Sequence, residues 1–256
     1  ITRKLLSDTV LSLVKDIQQN GELGIDHRII EAFQNTLRNK DIDRELIALA
    51  LTIPSESELG SLMVEIDVDA IHMAREFLLD TIANQLIDDF RTVFAANQEN
   101  GPYQIDQDSI AKRRIKNLTL AYLSHVKSTD QKSDNFVFEV FKSANNMTDE
   151  LAALSVLVNL DDDWGQKAIS IFYHKWQDDA LVMDKWFAVQ AGSKLPGTLE
   201  KVRKLIDHPK FSLTNPNKVR ALISTFCAVN PWNFHRKDGK GYVFLSEFVI
   251  KLDKIN

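Results

Sequence analysis

The chain has 256 residues, with 31 Lys and Arg against 36 Asp and Glu, a formal net charge of -5. Hydrophobic residues make up 44 % and charged residues 26 %, globular proportions that exclude wholesale disorder. The lone Cys227 excludes an internal disulfide and a cysteine-based metal site, and it suits a reducing, cytoplasmic compartment. A chain of this length buries a sizeable core without staples.

Breakers are scarce, with 9 Gly and 6 Pro in the whole chain. Sheet proteins need turns about every 8–12 residues and use Gly and Pro for many of them. Long stretches without either residue predict helices joined by short polar links. No apolar run is long enough to span a membrane, and ITRKLLSDTV opens an amphipathic helix, not a signal-peptide core.

Apolar residues recur at spacings of three and four along the chain. Ile71, Ala74, Leu78, Ile82, Leu86, Phe90 and Val93 form one stripe, which predicts a single long helix. Ala111, Ile115, Leu118 and Tyr122 form another, and Leu151, Leu154 and Val158 a third. Val219, Leu222, Ile223 and Phe226 follow, and Leu245, Phe248, Val249 and Leu252 end the series. Ser55 and Glu58 have the spacing of a capping box. Asp67 or Asp69 is placed to cap the long helix. Asn215 with Pro216 reads as an N-cap followed by proline at the first helical position.

Breaks are expected near 20–26, 39–43, 52–55, 64–68, 98–107, 126–130, 143–148, 160–163, 192–197, 207–216 and 229–242. That division gives roughly a dozen helices of ordinary length. The fold class is all-α: a superhelical stack of antiparallel helix pairs, a HEAT/armadillo-like α-solenoid of degenerate repeat. Residues 1–256 read as a single helical domain. Residue 1 is Ile, and the final KLDKIN is still amphipathic. The chain is therefore expected to be a fragment of a longer protein. Tyr242-Val-Phe is the one strand-like stretch, and it also suits a helix start.

No site of chemistry is visible in the residues themselves. His27, His72, His125, His174, His208 and His235 are scattered, and no two are four apart, so H-E-x-x-H is missing. No phosphate-binding glycine loop and no G-x-S-x-G occurs. Asp161-Asp162-Asp163 lacks the frame of a calcium loop and suits a helix N-terminus instead. Lys112, Arg113, Arg114 and Lys116 form a basic cluster. In an acidic chain it reads as a solvated helix face and not as a nucleic-acid surface. Trp164, Trp176, Trp186 and Trp232 read as anchors between packed helices. His235 stands out only for its place beside Asp238 and Gly239.

Four ordered strings go further. Asn145-Asn-Met-Thr-Asp-Glu-Leu-Ala-Ala-Leu154, Val182-Met-Asp-Lys-Trp-Phe187, Asn215-Pro-Asn-Lys-Val-Arg-Ala-Leu222 and Phe234-His-Arg-Lys-Asp-Gly-Lys-Gly-Tyr242 occur in that order. They resemble blocks in the C-terminal helical domain of the bacterial aminopeptidase N family, zinc peptidases of the gluzincin type. The resemblance implies a non-catalytic domain that closes the active-site chamber and lines the channel of an enzyme removing N-terminal residues from peptides. It implies no catalytic residue, metal ligand or cofactor in this chain. Zinc, H-E-x-x-H, G-A-M-E-N and the catalytic Tyr would lie upstream, and the helical domain would continue past Asn256. The implied partners are the catalytic domain of the same polypeptide and short peptides, with no nucleic acid, no membrane and a monomeric state.

Under that resemblance the substrate-channel candidates are Arg220 and Tyr242. The Arg220 guanidinium suits a peptide carbonyl or carboxylate, or an ion pair with a neighbouring helix. Tyr242 follows a glycine turn and would face the chamber or enter the core. Asn215 and Asn217 are capping and turn residues. A free-standing HEAT-like module with a protein partner in its concave face is the alternative function.

Overall fold

A computed structural model describes residues 3–99, 101–126 and 136–255. Sixteen α-helices and one π-helical turn account for the regular structure of these residues, and no strand occurs among them. Two compact units divide the chain, Ile1–Ala153 and Leu154–Asn256. Within each, helices stack on helices as an all-α solenoid architecture.

The first unit holds α1 (Arg3–Gln18), α2 (His27–Arg38), α3 (Arg44–Ala50), α4 (Glu56–Gly60), α5 (Val68–Gln85), α6 (Ile87–Ala96), α7 (Gln107–Leu123) and α8 (Phe136–Ser143). Helix α9 (Met147–Leu157) runs across the division. Its starts are chemically encoded. Ser55 and Glu58 form the expected capping box on α4, and Asp67 caps α5 by accepting the amide proton of Ala70. Inside, α1 packs on α5, α6 on α7, and α7 on α3. The core joins Leu6, Val10 and Leu13 of α1 to Phe33, Ile71, Ala74, Leu78 and Ile82.

The 71–93 stripe is not one helix. The chain breaks at Leu86, whose φ of -115° and ψ of 23° leave the helical region, and α6 starts afresh at Ile87. Ile71 through Phe90 are still buried as the spacing predicts, because a short bend keeps the stripe on the same side. Lys116 and Arg113 also depart from expectation. Both are buried, Lys116 against Asp149 and Arg113 against Glu99 and the carbonyl of Gln104. Only part of the basic cluster is a solvated face.

The second unit holds α10 (Asp163–Trp176), α11 (Ala180–Ala191), α12 (Thr198–Ile206), α13 (Pro216–Val219), the π-turn Arg220–Ser224, α14 (Thr225–Val229), α15 (Pro231–Phe234) and α16 (Lys240–Asp253). Asp162 caps α10, the role read for the acidic triplet, and Asp179 caps α11. The break at 177–179 was not among those expected, and 229–242 holds the short α15 where only a break was predicted. Most of the other expected breaks fall at helix ends. The one at 126–130 lies outside the described residues beyond Val126. Trp186 is buried and donates to the carbonyl of Ile169 at 3.1 Å, while Trp164, Trp176 and Trp232 are half-buried.

Candidate functional site

The candidate residues lie on two stretches of the second unit. Asn215 opens the first by accepting the amide proton of Asn217 at 3.0 Å, and Pro216 takes the first helical position. This satisfies an amide that no earlier turn can reach. One turn later the helix widens. The amide of Thr225 donates to the carbonyl of Arg220, five residues back, and the Thr225 hydroxyl reaches the same oxygen at 3.3 Å. A π-turn inside an α-helix is rare and recurs at functional sites. No breaker in the sequence announces it.

Arg220 is the first residue of that turn. Its side chain is exposed, and no carboxylate pairs with it among the described residues. The ion pair with a neighbouring helix, open on sequence grounds, does not form among the described residues. The charged partner in this stretch belongs to Lys218 instead. Its Nζ lies 2.6 Å from Oδ1 of Asp184 and 2.7 Å from the carbonyl of Ala180, both on α11. It also stands 5.8 Å from the centre of the Phe187 ring. Lys218 and Asp184 were both quoted in the strings above, but spacing gave no sign that they meet.

The far end of the same segment is fixed too. Asn230 is fully buried, and its Nδ2 donates to the carbonyls of Ala191 and Ser193 at 3.0 and 2.7 Å. The Ala191 carbonyl ends α11 and lacks a partner within its own helix, and Ser193 lies just past that end.

Tyr242 sits in the first turn of α16. It is 52 % exposed, so it is not a core tyrosine. Its phenol oxygen lies 2.7 Å from Nδ1 of His235, and its ring meets Phe234 edge-on at 5.3 Å. Two glycines shape this corner differently. Gly239 has φ of 70°, a left-handed conformation that favours glycine. Gly241 does not, but a Cβ there would lie 1.9 Å from the carbonyl oxygen of Phe234. Asp238 turns to Arg236 at 2.8 Å and not to His235. That bond, with the Lys240 amide, holds its carboxyl down at about 2. No hydrogen bond joins Arg220 to Tyr242 among the described residues.

Among the described residues, no three His, Cys, Asp or Glu side chains are placed to share one metal ion. None of the helices among the described residues is long and apolar enough to cross a membrane.

A family profile described as "Domain of unknown function (DUF3458_C) ARM repeats" matches residues 2–256. The chain belongs to this ARM-repeat family. It is 37 % identical over 254 residues to aminopeptidase N of Escherichia coli (strain K12), covering 99 % of this chain and 29 % of that protein. Over 239 residues it is 40 % identical to aminopeptidase N of Haemophilus influenzae, covering 93 % of this chain and 27 % of that protein. Among solved structures it is similar to Legionella pneumophila aminopeptidase A in complex with aspartic acid. There the TM-score is 0.88 at 27 % identity, over 99 % of this chain and 30 % of that one. The chain thus spans less than a third of the length of each of these relatives. The resemblance carried by the four strings holds along the whole chain.

Proposed function

We propose that this chain is a non-catalytic helical domain of a zinc-dependent aminopeptidase. It closes over the active-site chamber and lines the channel by which short peptides arrive. The observation that carries this reading is the match to aminopeptidase N along nearly all of this chain but under a third of the relative. The peptidase chemistry then belongs to the rest of the polypeptide. The unbroken family match through both compact units supports treating residues 1–256 as one helical domain.

Zinc in such an enzyme would polarise the scissile carbonyl and activate water. The described residues do not offer a donor set that fits it. Its contribution is access and binding. A peptide held by its N-terminus in a catalytic domain extends its later carbonyls and its C-terminal carboxylate away from the metal. An exposed guanidinium without a carboxylate partner suits those groups, because Arg donates in a fixed fork that matches them. Arg220 has this character. Tyr242 adds an exposed ring and a phenol oxygen steadied by His235.

Steady-state kinetics of the full-length polypeptide tests the reading. With a peptide of four or more residues, Arg220→Ala raises KM about tenfold, the size of one lost charge-assisted hydrogen bond, and largely spares kcat. Unchanged KM together with a lower melting temperature would show Arg220 to be structural. Stoichiometric zinc, or peptide turnover by this chain alone, would overturn the non-catalytic assignment.

A further inference from the structure

Two of the four strings meet through one buried side chain. Lys218, two residues before Arg220, is 6 % exposed. It spends its ammonium on Asp184 and on the carbonyl of Ala180, at the start of α11. Asn230 binds the other end of the same segment to the carbonyl of Ala191, which ends α11, and to that of Ser193 just past it. The segment from Lys218 to Asn230 is therefore held to one neighbouring helix at both ends. Between the two anchors the helix makes its π-turn, the form in which an α-helix takes in one extra residue. Arg220 opens that turn.

A buried ion pair is a poor device for stability, because desolvation offsets most of its attraction. Its directional bonds do fix orientation and register. We propose that the Lys218–Asp184 pair is a positioning device. It holds the π-turn in register on α11 and so aims the Arg220 guanidinium at the peptide. The inference rests on the reading of Arg220 as a peptide-binding residue. Lys218 itself touches no substrate, since its ammonium is buried against α11.

The test uses the full-length polypeptide and a tetrapeptide of alanine. Lys218→Met raises KM about tenfold with kcat largely kept, as Arg220→Ala does. Lys218→Arg, which keeps the charge and the donors, restores most of the loss. In an Arg220→Ala background, Lys218→Met adds no further increase in KM. Hydrogen exchange at the amides of 220–225 supplies a readout independent of peptide, and it quickens in Lys218→Met. Should Lys218→Met fail to fold, Asp184→Asn carries the same comparisons. An increase in KM that persists undiminished in the Arg220→Ala background would overturn the inference, as would unchanged exchange at 220–225. Loss of protection there with no KM effect of Arg220→Ala would leave the clamp intact. In that case the peptide reading fails, and the aiming role with it.

Discussion

The phenol of Tyr122 donates to the backbone carbonyl of Leu51, 71 residues earlier, at 2.7 Å. Both residues are fully buried, so the bond ties α7 to the end of α3 inside the first unit. The ring is clamped as well, stacked on Phe90 at 4.6 Å and edge-on to Phe33 at 5.6 Å. Burial pushes the phenol far above its ordinary pKa, so it remains a donor at any physiological pH.

Tyr122→Phe keeps the ring contacts and removes only the donor. The Leu51 carbonyl is then buried without its partner, which costs about 1–3 kcal/mol. Urea denaturation of the purified protein measures this as a lower midpoint. A shift within about 0.5 kcal/mol, the range of neutral surface changes, would show that the carbonyl finds another donor.

Lys116 and Asp149 form a buried pair at 2.7 Å, and Asn117 and Asn146 supply the other donors to the carboxylate. Lys116→Met leaves a buried carboxylate with amide donors alone. The expected loss is about 3–5 kcal/mol. The exposed pair of Arg28 with Asp26 is the control, since solvent screens it and Arg28→Gln there is expected to leave the denaturation midpoint nearly unchanged. Equal losses from the two substitutions would mean that water reaches Lys116.

Gly241 and Gly239 stand two residues apart and resist substitution for different reasons. Gly241→Ala drives a Cβ into the Phe234 carbonyl, at 1.9 Å, and forces α15 and α16 apart. The expected cost is about 2–3 kcal/mol or more. Gly239→Ala meets no neighbouring atom but must adopt φ of 70°, which costs roughly 1–2 kcal/mol. Thermal melts of the two variants rank the effects, and a milder Gly241→Ala would contradict the packing.

Cys227 is half-buried, and burial pushes its thiol up to about 11 from an ordinary 9.0. A raised pKa in the folded state keeps the proton on. At pH 8 the folded protein then holds about 100-fold less thiolate than the unfolded chain, and alkylation by iodoacetamide slows in proportion. The rate climbs with pH toward about 11. The stability linked to this group is fully present below pH 9.0 and is lost as pH rises through about 11. Fast alkylation at pH 8 without denaturant would contradict the burial.

Helix starts were the most legible feature. Ser55 with Glu58, Asp67, and Asn215 with Pro216 each act within four residues of themselves, so their chemistry is complete in the local string. The break at Leu86 was hidden because the apolar stripe continues across it. The break at 177–179 was hidden because no Gly or Pro marks it. Tyr242 was the harder case. Its aromatic character suits a core as well as a surface, and only the fold shows it packed edge-on against Phe234 with 52 % of the residue exposed.

The all-α class, the repeat-like stacking and the family were determined by the sequence alone, because periodicity, caps and motif strings are properties of neighbours along the chain. Tertiary structure alone decided that Lys116 is buried, that Lys218 meets Asp184, 34 residues away, and that Arg220 opens a π-turn. Whether a charge is solvated or paired depends on what the fold brings against it. No spacing within one helix encodes that neighbour.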